Sequence, residues 1–173
     1  MVKSMQLFKA LKKSRKDIFI GKGSKISRSV KIDTPYGGTV RLGNNCDIGD
    51  HSMLLTYGGS IEMGDDCSVN PFCVLYGHGG LKIGNKVRIA THTVIIPANH
   101  VFDDIQVPIM YQTEERKGIK IGDDVWIACG VRILDGVTIG NGVVIAAGSV
   151  VTKSFPDNVV IAGVPARIIK QRH

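Results

Sequence analysis

His100 is the residue in this sequence best suited to moving a proton. It closes Ala98-Asn99-His100 and stands directly ahead of a twenty-residue stretch, Val101 to Lys120, that interrupts an otherwise regular chain. An imidazole titrates near neutrality, so a histidine within hydrogen-bond reach of a hydroxyl can take its proton and create a competent nucleophile. The stretch contains Asp103, Asp104, Pro108, Tyr111, Glu114, Glu115, Arg116 and Lys117. Long loops on rigid scaffolds usually carry function. The other histidines read differently. His78, in Gly77-His78-Gly79-Gly80, serves equally well as a site residue or as a solvated turn. His51 and His92 share a repeat position with Phe72 and suit packing, and His173 is simply terminal.

What must position His100 is a six-residue repeat. Leu42, Ile48 and Leu54 lead three hexads, and Met63, Val69 and Leu75 lead the next three. Ile83, Ile89 and Ile95 follow, then Ile121, Ile127 and Ile133, then Ile139, Ile145 and Val151; Ile20, Ile26 and Ile32 extend the spacing upstream. Gly or Ala often follows the leader, and the fifth position is small or β-branched. Three hexads make one coil of a triangular solenoid, each leader pointing inward and stacking on its equivalent ~4.8 Å away. The residue after the leader is expected to permit the corner turn. Cys46, Cys67 and Cys73 occupy fifth positions, so packing explains them. Corresponding hexads stack on one face, so Asn70 and His100 begin on different faces of the prism.

Composition agrees with this reading. The chain has 173 residues, 43% hydrophobic but only 6% aromatic, with 21 glycines and a net charge of +7. Little aromatic content and much glycine disfavour a helical bundle. No apolar run approaches the ~20 residues of a membrane span, and no apolar stretch of a secretory signal follows the first charges. Four cysteines without a C-x-x-C pair argue against a disulfide framework and a zinc knuckle. A reducing cytoplasm is the expected setting, with the inner face of a membrane as the alternative. Residues 1–17 hold six basic residues against Asp17, so most of the net charge sits in this arm. Leu7, Phe8 and Leu11 give the arm the spacing of a short amphipathic helix. It is read as packing on the body, with weak contact to anionic lipid as the sharper alternative. Nucleic acid is not an expected partner, because aromatics are not interleaved with the basic residues.

Over residues 60–170 the sequence resembles the hexapeptide-repeat acyltransferases, specifically the galactoside, maltose and nodulation-factor O-acetyltransferase group. The resemblance rests on Asn99-His100, Ile121-Gly122-Asp123-Asp124-Val125-Trp126-Ile127 and Gly136-Val137-Thr138-Ile139-Gly140. Ala147-Gly148-Ser149-Val150-Val151-Thr152-Lys153 and Ala162-Gly163-Val164-Pro165-Ala166-Arg167 complete it. It implies an all-β, left-handed parallel β-helix over residues 18–173, with an excursion loop at 101–120, short terminal helices and a C-terminal tail from about 157. It implies a homotrimer that moves an acetyl group from acetyl-CoA, as co-substrate and without a metal, to a sugar hydroxyl in clefts between subunits. Only about seventeen residues precede the first hexad, an expectation of an open acceptor site like that of the shorter enzymes acting on capsule, exopolysaccharide or O-antigen sugars. Ala128-Cys129 stands where the family usually has Gly after Trp-Ile.

On the resemblance, His100 is the general base and the backbone N–H of Cys129 the oxyanion donor. Asn70 falls at the family's acceptor-site asparagine, with His78 and Trp126 beside the acceptor. Trp126 and Ala147 border the pantetheine arm, while Lys153, Arg167 and Lys170 lie where the family holds coenzyme A phosphates. Each has a plainer reading: a turn asparagine, a face aromatic, a solvated basic edge. An N-acetyltransferase of an amino-sugar nucleotide is the main alternative function. A carbonic-anhydrase-like metalloenzyme would need a close histidine pair, whereas His78, His92 and His100 are spaced 14 and 8 apart. A non-catalytic trimeric scaffold would not need His100, the loop and the basic residues together.

Overall fold

The structure is a computed structural model that describes residues 16–173. The expected N-terminal helix lies outside the described residues. From Ile18 the chain winds through three parallel sheets whose strands come from successive coils. Sheet 1 takes Ile18–Ile20, Thr39–Leu42, Ser60–Met63, Leu81–Ile83, Ile119–Ile121 and Thr138–Ile139. Sheet 2 takes Lys25–Ile26, Asp47–Ile48, Ser68–Val69, Arg88–Ile89, Trp126–Ile127 and Val144–Ile145, then Val159–Gly163 and Ala166–Gln171. Sheet 3 takes Lys31–Asp33, Met53–Leu55, Val74–Tyr76, Val94–Ile95, Arg132–Ile133 and Val150–Val151. This is the left-handed β-helix.

The hexad leaders make the core. All fifteen from Leu42 to Val151 are buried, and so are the fifth positions of the first two hexads in each coil, from Cys46 to Ser149. Leaders pair in register from coil to coil, as in Ile83↔Ile121 and Ile89↔Ile127. Aliphatic leaders suit this because side chains alternate across a strand, so a two-residue strand points only one side chain inward. The residues that seem to interrupt the repeat at 60–62 and 81–82 join sheet 1 as longer strands.

Two expectations change. Gly at the second position is needed for close approach between coils, not for an unusual backbone angle. A Cβ on Gly84 would sit 2.2 Å from Asp123 Oδ1 and 2.8 Å from the Gly122 carbonyl. The left-handed residue comes two positions later, at Asn45, Asp66, Lys86 and Asp124. The C-terminus also lacks the expected helix. Val159–Gly163 adds to sheet 2 beside Val144–Ile145, and Ala166–Gln171 returns antiparallel to it. Val159 and Ile161 alternate into the core, a two-residue period that a helix cannot present. The segment from about 157 therefore caps the solenoid instead of trailing from it. The only helical turns among the described residues are the short Pro35–Gly37 and Ile109–Tyr111.

Each corner has its own chemistry. Between sheets 1 and 2, Asn44, Asp65, Asn85, Asp123, Asn141 and Asp157 each accept the backbone N–H of the preceding coil through Oδ1, at 2.6–2.9 Å. Amide and carboxylate alternate, so no two carboxylates stack directly and each amide can donate onward. Between sheets 2 and 3, His51, Phe72 and His92 stack at 5.3 and 5.4 Å between ring centroids. The corner between sheets 3 and 1 carries the excursion.

Candidate active site

His100 is fixed by a small antiparallel ladder at the base of the excursion. Asn99–His100 pairs with Glu114–Glu115, setting His100 opposite Glu114 and Asn99 opposite Glu115. Beyond the ladder the loop is pinned by Gln112, whose Nε2 donates to the carbonyls of Asp104 and Val107. Arg116 grips the Glu114 carboxylate through Nε at 3.0 Å and Nη2 at 2.9 Å. That bond holds Glu114 below its ordinary carboxylate range, with smaller help from the nearby charge of Arg116. Glu114 is therefore a fixed negative charge beside two imidazoles.

His78, Tyr76, Ile96, Ala98, Asn99, His100, Glu114 and Leu134 line one cavity of about 350 Å³. His78 is held face to face with Tyr57 and next to Tyr76. Its Nδ1 is buried and meets no hydrogen-bond partner. Burial holds its pKa below that of a free histidine, against an opposing pull from Glu114. A buried lone pair without a donor is cheaper than a buried N–H without an acceptor, so the neutral Nε2–H tautomer is favoured. The chemistry available here is a solvent-exposed imidazole base facing a carboxylate, with a second, neutral imidazole beside it. On its other side His100 borders a second cavity of about 600 Å³ with Phe102, Asp103 and Ile109.

The remaining residues singled out in the sequence lie elsewhere on the chain. Trp126 and Lys170 come together in a cavity of about 540 Å³ on sheet 2 with Val144, Val160 and Arg172. Asn70, Cys129 and Ala147 are exposed along the corner between sheets 2 and 3. The Cys129 carbonyl accepts the Gly148 N–H at 2.9 Å, whereas the Cys129 N–H finds no acceptor among the described residues. Lys153 rests over Phe155 at 5.8 Å, and Arg167 donates to the carbonyl of Ala166. Neither lines the Trp126 cavity. One chain thus joins His100 to His78 and Glu114, but leaves Asn70 and Cys129 on the far edge of sheet 3. Glu114 was one carboxylate among several in the loop sequence; only the ladder pairs it with His100.

Residues 118–153 match the family described as bacterial transferase hexapeptide (six repeats). Over these residues the chain is similar to that family. The chain is 32% identical over 155 residues to a Mycobacterium tuberculosis protein named "Probable acetyltransferase Rv3034c", covering 90% of this chain and 50% of that one. It is 36% identical over 94 residues to the galactoside O-acetyltransferase of Escherichia coli, covering 51% of this chain and 43% of that one. The chain spans about half the length, or less, of these relatives. Among solved structures it is similar to a mutant of AntD, an N-acyltransferase from Bacillus cereus, in complex with dTDP-4-amino-4,6-dideoxyglucose and coenzyme A. There the TM-score is 0.78 at 27% identity, over 89% of this chain and 83% of that one. Among the described residues no group of side chains is arranged to hold a metal ion.

Proposed function

We propose that this chain is a hexapeptide-repeat acyltransferase that moves an acetyl group from acetyl-CoA to a sugar hydroxyl. The observation that carries the reading is the ladder that holds His100 against Glu114 at the mouth of a cavity. His100 takes the proton of the acceptor hydroxyl as its oxygen bonds to the thioester carbonyl carbon. The carbon–sulfur bond then breaks, and the proton held by His100 passes to the departing thiolate. Glu114, fixed by Arg116, places a negative charge across the ladder that stabilises the charged form of the ring while the proton is held. The free Cys129 N–H suits the developing oxyanion, as preorganised backbone donors do.

His100 and Cys129 flank opposite edges of sheet 3, so a cleft between subunits unites them more simply than one chain does. The outward face of sheet 3 supports this: Met53, Val74, Val94 and Val150 form an apolar column broken only by Arg132. Phe102, Ile105, Met110 and Tyr111 on the excursion are also exposed. A homotrimer buries both. Trp126 and Lys170 then serve the coenzyme A arm, with Lys153 and Arg167 contributing charge near the C-terminal coils.

The test is transfer from acetyl-CoA to hydroxyl acceptors in wild type, His100→Ala and Glu114→Gln. Loss of the base lowers turnover ~10²–10⁴-fold, and Glu114→Gln lowers kcat while leaving the KM for acetyl-CoA in place. A folded His100→Ala protein with near-normal turnover overturns the assignment. The likeness to AntD favours one second reading, an amine acceptor on a nucleotide sugar. Matched hydroxyl and amino sugars in the same assay separate the two.

A further inference from the structure

Aromatic side chains run along the corner between sheets 3 and 1 and end at His100. Tyr36 is 87% exposed on the inserted turn Pro35–Gly37. Its Cβ lies 3.5 Å from the place where a side chain would begin on Gly58, one coil on. Tyr57 follows, stacked on His78 with 4.4 Å between ring centroids and 13° between planes. Tyr76 flanks both, 5.8 Å from Tyr57 and 5.6 Å from His78. It also lines the cavity of His100. With ~4.8 Å between coils, the row from Tyr36 to His100 covers three rises, or ~14 Å.

Core packing does not account for this row. Tyr36 and Tyr57 both sit in the left-handed backbone region, at φ 58° and 46°. A bulky residue is rarely held there without a reason. In later coils the left-handed positions of this corner are Gly80, Gly118 and Gly136. Tyr36 returns almost no burial for that conformation, and no second ring covers it among the described residues.

We propose that this corner is a binding track for an extended glycan of at least three sugar rings, which delivers one ring to His100. The proposal rests on the acyltransferase reading above and names its acceptor class: an oligosaccharide or polysaccharide chain, not a nucleotide sugar. The C–H face of a sugar ring is apolar and carries partial positive charge, which complements the negative face of a tyrosine. One coil rise is comparable with one ring of a glycan chain, so a row with one aromatic station per coil suits a repeating polymer. A nucleotide sugar would bring a diphosphate that needs cations. Three of the basic residues near the row are engaged instead: Lys31 with Asp33 at 3.7 Å, Arg116 with Glu114 and Lys117 with Glu115. Asp17, which accepts the Thr34 hydroxyl beside Tyr36, adds a further negative charge.

The test is calorimetric titration, without acetyl-CoA, using cello-oligosaccharides and chito-oligosaccharides of one to six rings, with dTDP-glucose in parallel. The expected result is affinity that rises about threefold to tenfold per added ring, up to the third or fourth, in at least one series. Tyr36→Ala abolishes the gain from the outermost of those rings while its melting temperature stays at the wild-type value. Tyr57→Asn, which keeps a residue tolerant of positive φ, abolishes the step before it. No dependence on length in either series, or dTDP-glucose binding without glycan binding, overturns the proposal. Length-dependent binding by a protein that transfers no acetyl group leaves the track standing and overturns the acyltransferase reading. Transfer to monosaccharides without length dependence does the reverse.

Discussion

His78 shows how a single side chain can be costly to fold and useful once folded. Its Nδ1 is buried without a partner, and burial keeps the ring neutral where a free histidine would begin to charge. The unfolded chain takes up a proton at about 6.5; the folded chain resists doing so until lower pH. The stability tied to neutral His78 is therefore complete above about 6.5 and is lost as pH falls toward the depressed folded value. His78→Phe keeps a ring against Tyr57 and has nothing to protonate. Its melting temperature is expected to fall less than that of the wild type between pH 7.5 and 5.5, measured by thermal scans at both pH values. Parallel losses in the two proteins would remove His78 as the cause.

At the scale of elements, the strands are too short to hold themselves and depend on contact between coils. Gly84 is the sharpest case, because a Cβ there overlaps Asp123 Oδ1 and the Gly122 backbone. Gly84→Ala is expected to cost at least about 2 kcal/mol, in the upper range for single substitutions; denaturant titration measures it, and a loss under 0.5 kcal/mol would refute the steric account. The repeat that builds these coils was legible because every leader, from Leu42 to Val151, is selected by the same inward geometry. The stacked His51, Phe72 and His92 were legible because they share one repeat position, which points outward at a corner. The partner of His100 was not, because residues 101–113 between the ladder strands obey no period and their pairing is decided in three dimensions. The C-terminal hairpin was equally hidden: a helix and a strand are hard to tell apart in a short apolar segment without its neighbours. The alternating Asn and Asp at the first corner lay in plain view after Gly43, Gly64, Gly84, Gly122 and Gly140, and could have been read as an N–H-capping ladder.

At the scale of the whole molecule, the separation of His100 from Asn70 and Cys129 makes assembly a matter of chemistry. If clefts take His100 from one subunit and Asn70 from the next, His100→Ala and Asn70→Ala trimers recover activity when unfolded together and reassembled, since a ring closed by a heterologous interface regenerates some intact clefts. Gel filtration establishes that subunits mixed, and a rate no higher than either parent would place the whole site within one chain or exclude Asn70 from it. The corner ladder carries one more consequence. Asn85 donates its backbone N–H to Asp123 at 2.7 Å, and Leu81–Ile83 pairs with Ile119–Ile121 as though nothing lay between them. The spine is thus indifferent to what is spliced into it at this point, because closing a longer loop adds only ~0.6 kcal/mol per doubling of its length. Replacing residues 98–117 with a short glycine linker should give an inert rod that melts cooperatively near the parent temperature, and a collapse of that transition would show the insert to be structural. An inert rod would make this junction an interchangeable socket, where lineages or engineers can exchange catalytic and specificity cassettes while the rest of the chain stays the same.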